Sequence, residues 1–184
     1  MKRGPDRGYL PEPAKSLFIL DTPEQEEGAN RAFAAEGLVL NLVSGRRYLG
    51  AYLGPQAELE AWVKPQVEAW AHGVKVLAKI ARRHPQLAYA GLGMSLQLEW
   101  QYLQRTVPGV GTLMGPIEEA LKEKSFPLLF GGEEIDADFR KILGHGVEHG
   151  GLGIHDPRLS AECAYNTSKA AIRELVDSLL GIPG

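Results

Sequence analysis

With one cysteine, Cys163, the 184-residue chain has no means of forming an internal disulfide, so its stability must come from burial and hydrogen bonding. That scarcity points to an intracellular setting, cytoplasmic or nuclear. No apolar run approaches the roughly 18 residues that a membrane span needs. The first residues, Met1-Lys2-Arg3-Gly4-Pro5-Asp6-Arg7, lack the apolar core of a secretory signal. No membrane partner is expected. Paired aspartates are also missing: Asp6, Asp21, Asp136, Asp138, Asp156 and Asp177 each stand apart from one another in the chain and outside apolar strand contexts. The adjacent carboxylates that hold two metal ions for in-line displacement at a phosphate are therefore not written here. There is no G-x-S-x-G nucleophile elbow. Neither Gly109-Val110-Gly111 nor Gly151-Leu152-Gly153 follows an apolar strand with the lysine of a phosphate loop.

What is present is an ordinary globular composition, 44% hydrophobic and 23% charged, with a formal net charge of -3 that argues against a generic nucleic-acid binder, for which a basic domain is expected. The charge is uneven along the chain. From Ala69 to Leu98 there are four bases and no Asp or Glu, whereas Asp21 to Glu36 holds five acids and one base. A near-neutral total thus conceals a local basic face.

The pattern predicts an α+β chain in two parts, residues 1–54 and 55–184. Residues 1–16 are rich in Gly, Pro and charge and lead into a strand at Leu17-Phe18-Ile19-Leu20. Asp21 or Thr22 caps a helix that starts at Pro23, is favoured by Glu24, Glu26 and Glu27 at its positive end, and stops at Gly37. Leu38-Val39-Leu40 and Tyr48 to Leu53 read as short strands around a Val43-Ser44-Gly45 turn. The result is a small N-terminal βαββ lobe. Beyond Gly54, Leu59, Val63, Val67, Trp70, Val74, Leu77 and Ala81 recur at steps of four and three, one face of a long helix that Pro65 should kink or break. A second helix from Pro85 to about Thr106 is apolar almost all round, which requires burial or a covering partner. Further helices are expected at Pro116 to Lys124 and Ile135 to Leu143. A glycine-rich loop over 144–157 then leads to a last helix from Pro157 to Leu180, with Ala161, Ala164, Ala171, Leu175 and Leu179 inward.

Lys75, Lys79, Arg82 and Arg83 fall at i, i+4, i+7 and i+8 and so share a helical face. Such a face either follows a phosphate backbone or is simply solvated. Trp62, Trp70, Trp100, Tyr89 and Tyr102 carry the chemistry to stack bases, but they sit on apolar helical faces, as core residues do. His145, His149, His155, Asp156 and Cys163 are metal-ligand types, yet glycines surround the histidines and no four-ligand spacing is spelled out. No metal site is expected.

Three stretches in order carry a resemblance: Gly8-Tyr9-Leu10-Pro11-Glu12-Pro13-Ala14-Lys15-Ser16, then Gly45-Arg46-Arg47-Tyr48-Leu49-Gly50, then Gly150-Gly151-Leu152-Gly153-Ile154-His155-Asp156-Pro157. Together they resemble the part of a retroelement reverse transcriptase that follows its catalytic Tyr-x-Asp-Asp hairpin. The resemblance implies the end of the palm and a primer-grip turn in residues 1–54 and a mainly helical, thumb-like bundle in 55–184. It implies that Arg47, Tyr48 and Gly50, with Lys75, Lys79, Arg82 and Arg83, meet the backbone of a primer-template. Lys15 would be a general acid only in a complete parent enzyme, and Mg2+ is expected only there; this chain, without the catalytic aspartates, is expected to be an inactive fragment with no cofactor. The alternative is a helical protein–protein interaction module that self-associates or docks on a missing palm.

Overall fold

The computed structural model describes residues 16–20, 22–38 and 41–181. The chain divides into two compact units, Met1–Glu60 and Ala61–Gly184, and is a mostly helical α+β protein with a small strand region of two sheets. Lys15 and the Gly8–Ala14 stretch lie outside the described residues, as do Asp21, Val39 and Leu40.

In the first unit, strand β1 (Leu17–Ile19) leads into helix α1 (Pro23–Ala35). Thr22 caps that helix: its hydroxyl accepts from the Gln25 amide at 3.3 Å, with Glu24 and Glu26 in the first turn. Gly37, in the left-handed region at φ 66°, ends it. The Phe33 ring meets Phe18 edge-on at 5.3 Å, which seats α1 on β1. Strand β2 (Asn41–Val43) pairs parallel to β1, Leu17 opposite Asn41 and Ile19 opposite Val43. Strands β3 (Arg46–Tyr48) and β4 (Ala51–Leu53) form a separate antiparallel pair. The expected βαββ lobe is thus corrected to two two-stranded sheets, and the strand expected from Tyr48 to Leu53 is folded in the middle. Val43, expected in a turn, is paired instead, since the parallel partner on β1 supplies bonds that local sequence does not reveal.

Helix α2 (Gln56–Ala81) runs through Pro65 unbroken, so of the expected kink or break the break does not occur. Pro65 is exposed, so water is available to the carbonyl four residues back that loses its donor. Val63, Val67, Val74 and Ala78 of α2 are buried. The helical run from Pro85 to Thr106 is continuous as expected: helix α3 (Pro85–Gly91), a wider π turn over Leu92–Leu96, and helix α4 (Gln97–Thr106). It returns alongside α2 at close range. A Cβ on Gly73 would lie 3.1 Å from the Leu96 side chain and one on Gly91 3.2 Å from Leu77, while the Trp70 indole donates to Glu99 at 2.8 Å.

Then come a 3-10 turn at Val110–Leu113, helix α5 (Gly115–Ala120), a second π turn over Leu121–Ser125, and helices α6 (Phe126–Leu129), α7 (Ala137–Gly144) and α8 (Pro157–Ala171). The helix expected at Pro116 to Lys124 therefore runs on to Leu129. Asp136 caps α7, accepting from the Phe139 amide at 2.7 Å, and Asp156 caps α8, accepting from Arg158 at 2.9 Å. Helix α4 packs along α8, with Trp100, Leu103, Met114, Ile117, Leu121, Phe126, Ile154 and Ala161 buried in this unit. The expected last helix is broken: α9 (Arg173–Leu180) follows a turn at Ile172. Of its expected inward residues only Ala161 is buried and Ala164 half-buried; Ala171, Leu175 and Leu179 are exposed. An amphipathic repeat says which residues share a face, not that anything covers it.

The Gly150–Pro157 stretch is fastened by side chains from three helices. Tyr89 donates to the Leu152 carbonyl at 2.8 Å, Gln97 to Gly153 at 3.0 Å, Arg140 to Ile154 at 2.9 Å and Gln104 to Pro157 at 2.6 Å. Gly151 is buried where a Cβ would collide with the carbonyl oxygens of His145 and Ile142. Arg140 also makes two bonds to buried Glu118, Nε to Oε1 at 2.8 Å and Nη2 to Oε2 at 2.7 Å, with its guanidinium 4.9 Å above the Phe126 ring. Every guanidinium nitrogen is thereby engaged.

Two stability measurements follow. Arg140→Met leaves the Glu118 carboxylate buried and unpaired and should cost about 3–5 kcal/mol in denaturant unfolding, while Glu118→Leu added to it should recover part of the loss. A double variant as unstable as the sum of the singles would show that the two charges are not a coupled unit. Gly151→Ala should cost on the order of 1–3 kcal/mol through backbone overlap; an unchanged melting temperature would contradict the close approach.

Candidate nucleic-acid interface

The residues singled out in the sequence fall in two places, a hairpin in the first unit and the end of α2 in the second. In the hairpin, Arg46 faces Leu53 and Tyr48 faces Ala51, so Leu49 and Gly50 form a two-residue turn. Their φ angles are 47° and 82°. Two successive positive φ values match the right-handed twist of an antiparallel pair, but asparagine or aspartate usually stands before the glycine. Leucine there is strained, at a cost of order 1 kcal/mol. Leu49 is also 76% exposed and Tyr48 61% exposed, with Arg46 and Arg47 exposed beside them.

The base of the hairpin is held by Glu58 in the first turn of α2. Its Oε1 accepts from the Ser44 hydroxyl at 2.7 Å and its Oε2 from the Tyr52 phenol at 2.6 Å, so one carboxylate ties the entry of β3 and the middle of β4 to the helix start. The bond from Tyr52, and then that from Ser44, hold the Glu58 carboxyl below the ordinary carboxylate range, and the same bond raises the Tyr52 phenol. Gly45 is the residue that makes room: a Cβ there would lie 2.9 Å from Glu58 Oε2 and would press on the Tyr52 ring. Gly54, at φ 145°, passes directly over the Gly45 backbone. The first and last glycines of Gly45-Arg46-Arg47-Tyr48-Leu49-Gly50 thus have separate reasons, close approach for Gly45 and a left-handed φ for Gly50. Ser44, Tyr52 and Glu58 were not picked out from the sequence, because nothing local says that a helix-start carboxylate reaches back across a hairpin.

At the other place, Lys75 and Lys79 stand exposed on α2, but Arg82 and Arg83 lie past its last residue. The Arg83 and His84 amides both bond back to the Ile80 carbonyl, closing the helix end. The shared helical face of four bases is therefore corrected to two on the helix and two in the turn after it. Among the described residues none of the four has an ion-pair partner. The charges of Lys79, Arg82 and Arg83 complement the negative end of a 26-residue helix.

The aromatic residues divide as core packing predicts in part: Trp70 and Trp100 are buried, Trp62 and Tyr89 half-buried, Tyr102 exposed. His145, His149 and His155 are exposed around the 3-10 turn Val147–His149, and Cys163 is exposed on α8. Among the described residues no group of three or more His, Cys, Asp or Glu could hold a metal ion, and no helix is long and apolar enough to cross a membrane.

The Glu58 clamp has a pH signature at each end. A carboxyl held low in the folded state contributes above its unfolded value and loses that contribution as pH falls through the folded one; a phenol held high contributes at neutral pH and loses it as pH rises through the folded value. Tyr52→Phe should therefore move the Glu58 titration, followed by NMR, up toward the ordinary carboxylate range. A titration that stays where it was would mean the phenol is not its partner. Comparisons with protein-family models, with curated proteins and with solved structures found no match for this chain.

Proposed function

We propose that this chain is a non-catalytic relative of the post-catalytic part of a retroelement reverse transcriptase, and that it binds a primer-template along its phosphate backbone. The first unit corresponds in this reading to the end of the palm with its primer grip, and the second to a thumb-like bundle. Arg47, Tyr48 and Gly50 at the hairpin meet one stretch of backbone, and Lys75, Lys79, Arg82 and Arg83 another. The observation that carries the reading is the hairpin. Its tip holds a strained leucine and an exposed tyrosine directly after two exposed arginines, where a merely structural turn would relax or bury them. Phosphate contacts by flexible bases give affinity without sequence preference. Lys15 has no reaction to assist without the catalytic carboxylates, and Mg2+ belongs only to a complete parent polymerase.

The test is fluorescence anisotropy with a labelled primer-template duplex over a range of salt. Binding should weaken as salt rises. The triple change Lys75→Glu, Lys79→Glu and Arg82→Glu should flatten the slope of log K against log salt by about one unit per base lost. Arg47→Glu should weaken binding separately through the hairpin. No affinity at low salt, or an affinity indifferent to both sets of changes, would overturn the proposal.

A further inference from the structure

Two apolar faces in the second unit are left bare. One lies on the Pro85–Thr106 run, opposite buried Leu92, Trp100 and Leu103: Leu87, Met94 and Leu98 are exposed there, Met94 at 78%. The other is α9 with the turn before it. Ile172, Leu175, Val176, Leu179 and Leu180 recur at i, i+3, i+4, i+7 and i+8, and every one is exposed, Leu179 at 79%. An apolar stripe of that width on an eight-residue helix does not stay helical in water on propensity alone; packing against something is what stabilises it. Contiguous exposed apolar surface of this kind marks an association site.

The faces suit each other. The α9 stripe from Ile172 to Leu180 is about 12 Å long and the outer face from Leu87 to Leu98 about 16 Å. Their charges are opposite in sense. On the outer face Arg105 lies seven residues past Leu98 on the same side of α4, and Glu99, next to Leu98 in the chain, is already bonded to Trp70. Helix α9 carries one base and two acids, and Arg173 stands 3.9 Å from Asp177, which leaves Glu174 without a partner on its own helix. Because each copy offers one face of each kind, a two-fold arrangement covers all four at once. We infer that the chain forms a symmetric dimer in which α9 of each copy lies on the Leu87–Met94–Leu98 face of the other, with Arg105 of that face beside Glu174 of α9.

Light scattering on the whole chain tests this. The unaltered protein should run at twice the 20.1 kDa chain mass. Leu175→Ser with Leu179→Ser, and separately Met94→Ser with Leu98→Ser, should each give the single-chain mass; all four residues are exposed, so far-UV circular dichroism should fall by no more than the eight residues of α9 that the contact holds helical. An equimolar mixture of the two double variants keeps one intact α9 and one intact outer face and should recover dimer that neither forms alone. A monomeric unaltered protein overturns the inference. So does a dimer that survives either pair of changes, or a mixture that stays monomeric, because a pairing of like faces could not be rescued by mixing. Neither pair touches the bases assigned to nucleic acid, so loss of the dimer and loss of duplex affinity are read independently.

Discussion

The second unit depends on a charge pair buried almost completely from water. Glu118 on α5 and Arg140 on α7 are both buried, and the guanidinium uses its third nitrogen, Nη1, on the Ile154 carbonyl while lying over the Phe126 ring. Removing two ions from water is expensive, and the attraction between them compensates only when geometry and remaining hydrogen bonds are complete. Here they are. The consequence is positional: α5, α7, the loop at Ile154 and the start of α6 meet at one guanidinium and cannot slide past each other without stranding a charge. Asp156, two residues beyond Ile154, extends the arrangement. Partial burial opposes its charge, but the side-chain and backbone bonds from Arg158, with the Arg158 and Arg140 charges behind them, hold its carboxyl below the ordinary range, where it caps α8 as an anion.

The same economy of polar contacts explains the glycine-rich stretch beside the pair. Four carbonyls between Leu152 and Pro157 are taken by Tyr89, Gln97, Arg140 and Gln104, and Ile154 is fully buried between them. A loop can run through a core only if its backbone acceptors find donors there. One atom is left over: the Gln97 Oε1 has no partner, since its amide must point the nitrogen at Gly153. The stretch that carries part of the family resemblance is thus, in this chain, an element of internal architecture. Its glycines serve close backbone approach at Gly151 and left-handed φ angles at Gly150 and Gly153.

The hairpin of the first unit works by the opposite logic. Its interior side is tightly specified, by Gly45 against the Tyr52–Glu58 bond and by Gly54 against Gly45, whereas its tip is exposed, strained and cationic.

Much of the fold was legible in the residues. Thr22, Pro23 and the early glutamates placed the start of α1, Gly37 its end, and the recurrence from Val63 to Ala81 placed the buried face of α2, because capping and helical periodicity are local. The candidate bases were legible as residue types, but not their setting: α2 closes at Ala81, so Arg82 and Arg83 stand in a turn, and a continuous strand from Tyr48 became a hairpin at Leu49 against the usual preference. Only tertiary structure decided the pairing of β2 with β1, the reach of Glu58 to Ser44 and Tyr52, the meeting of Glu118 with Arg140, and which apolar stripes are covered. Each of these joins groups distant in sequence, and their energies come from desolvation and geometry that no single stretch of chain contains. The sequence by itself determined where helices can begin, which residues share a face, and that paired catalytic aspartates are absent.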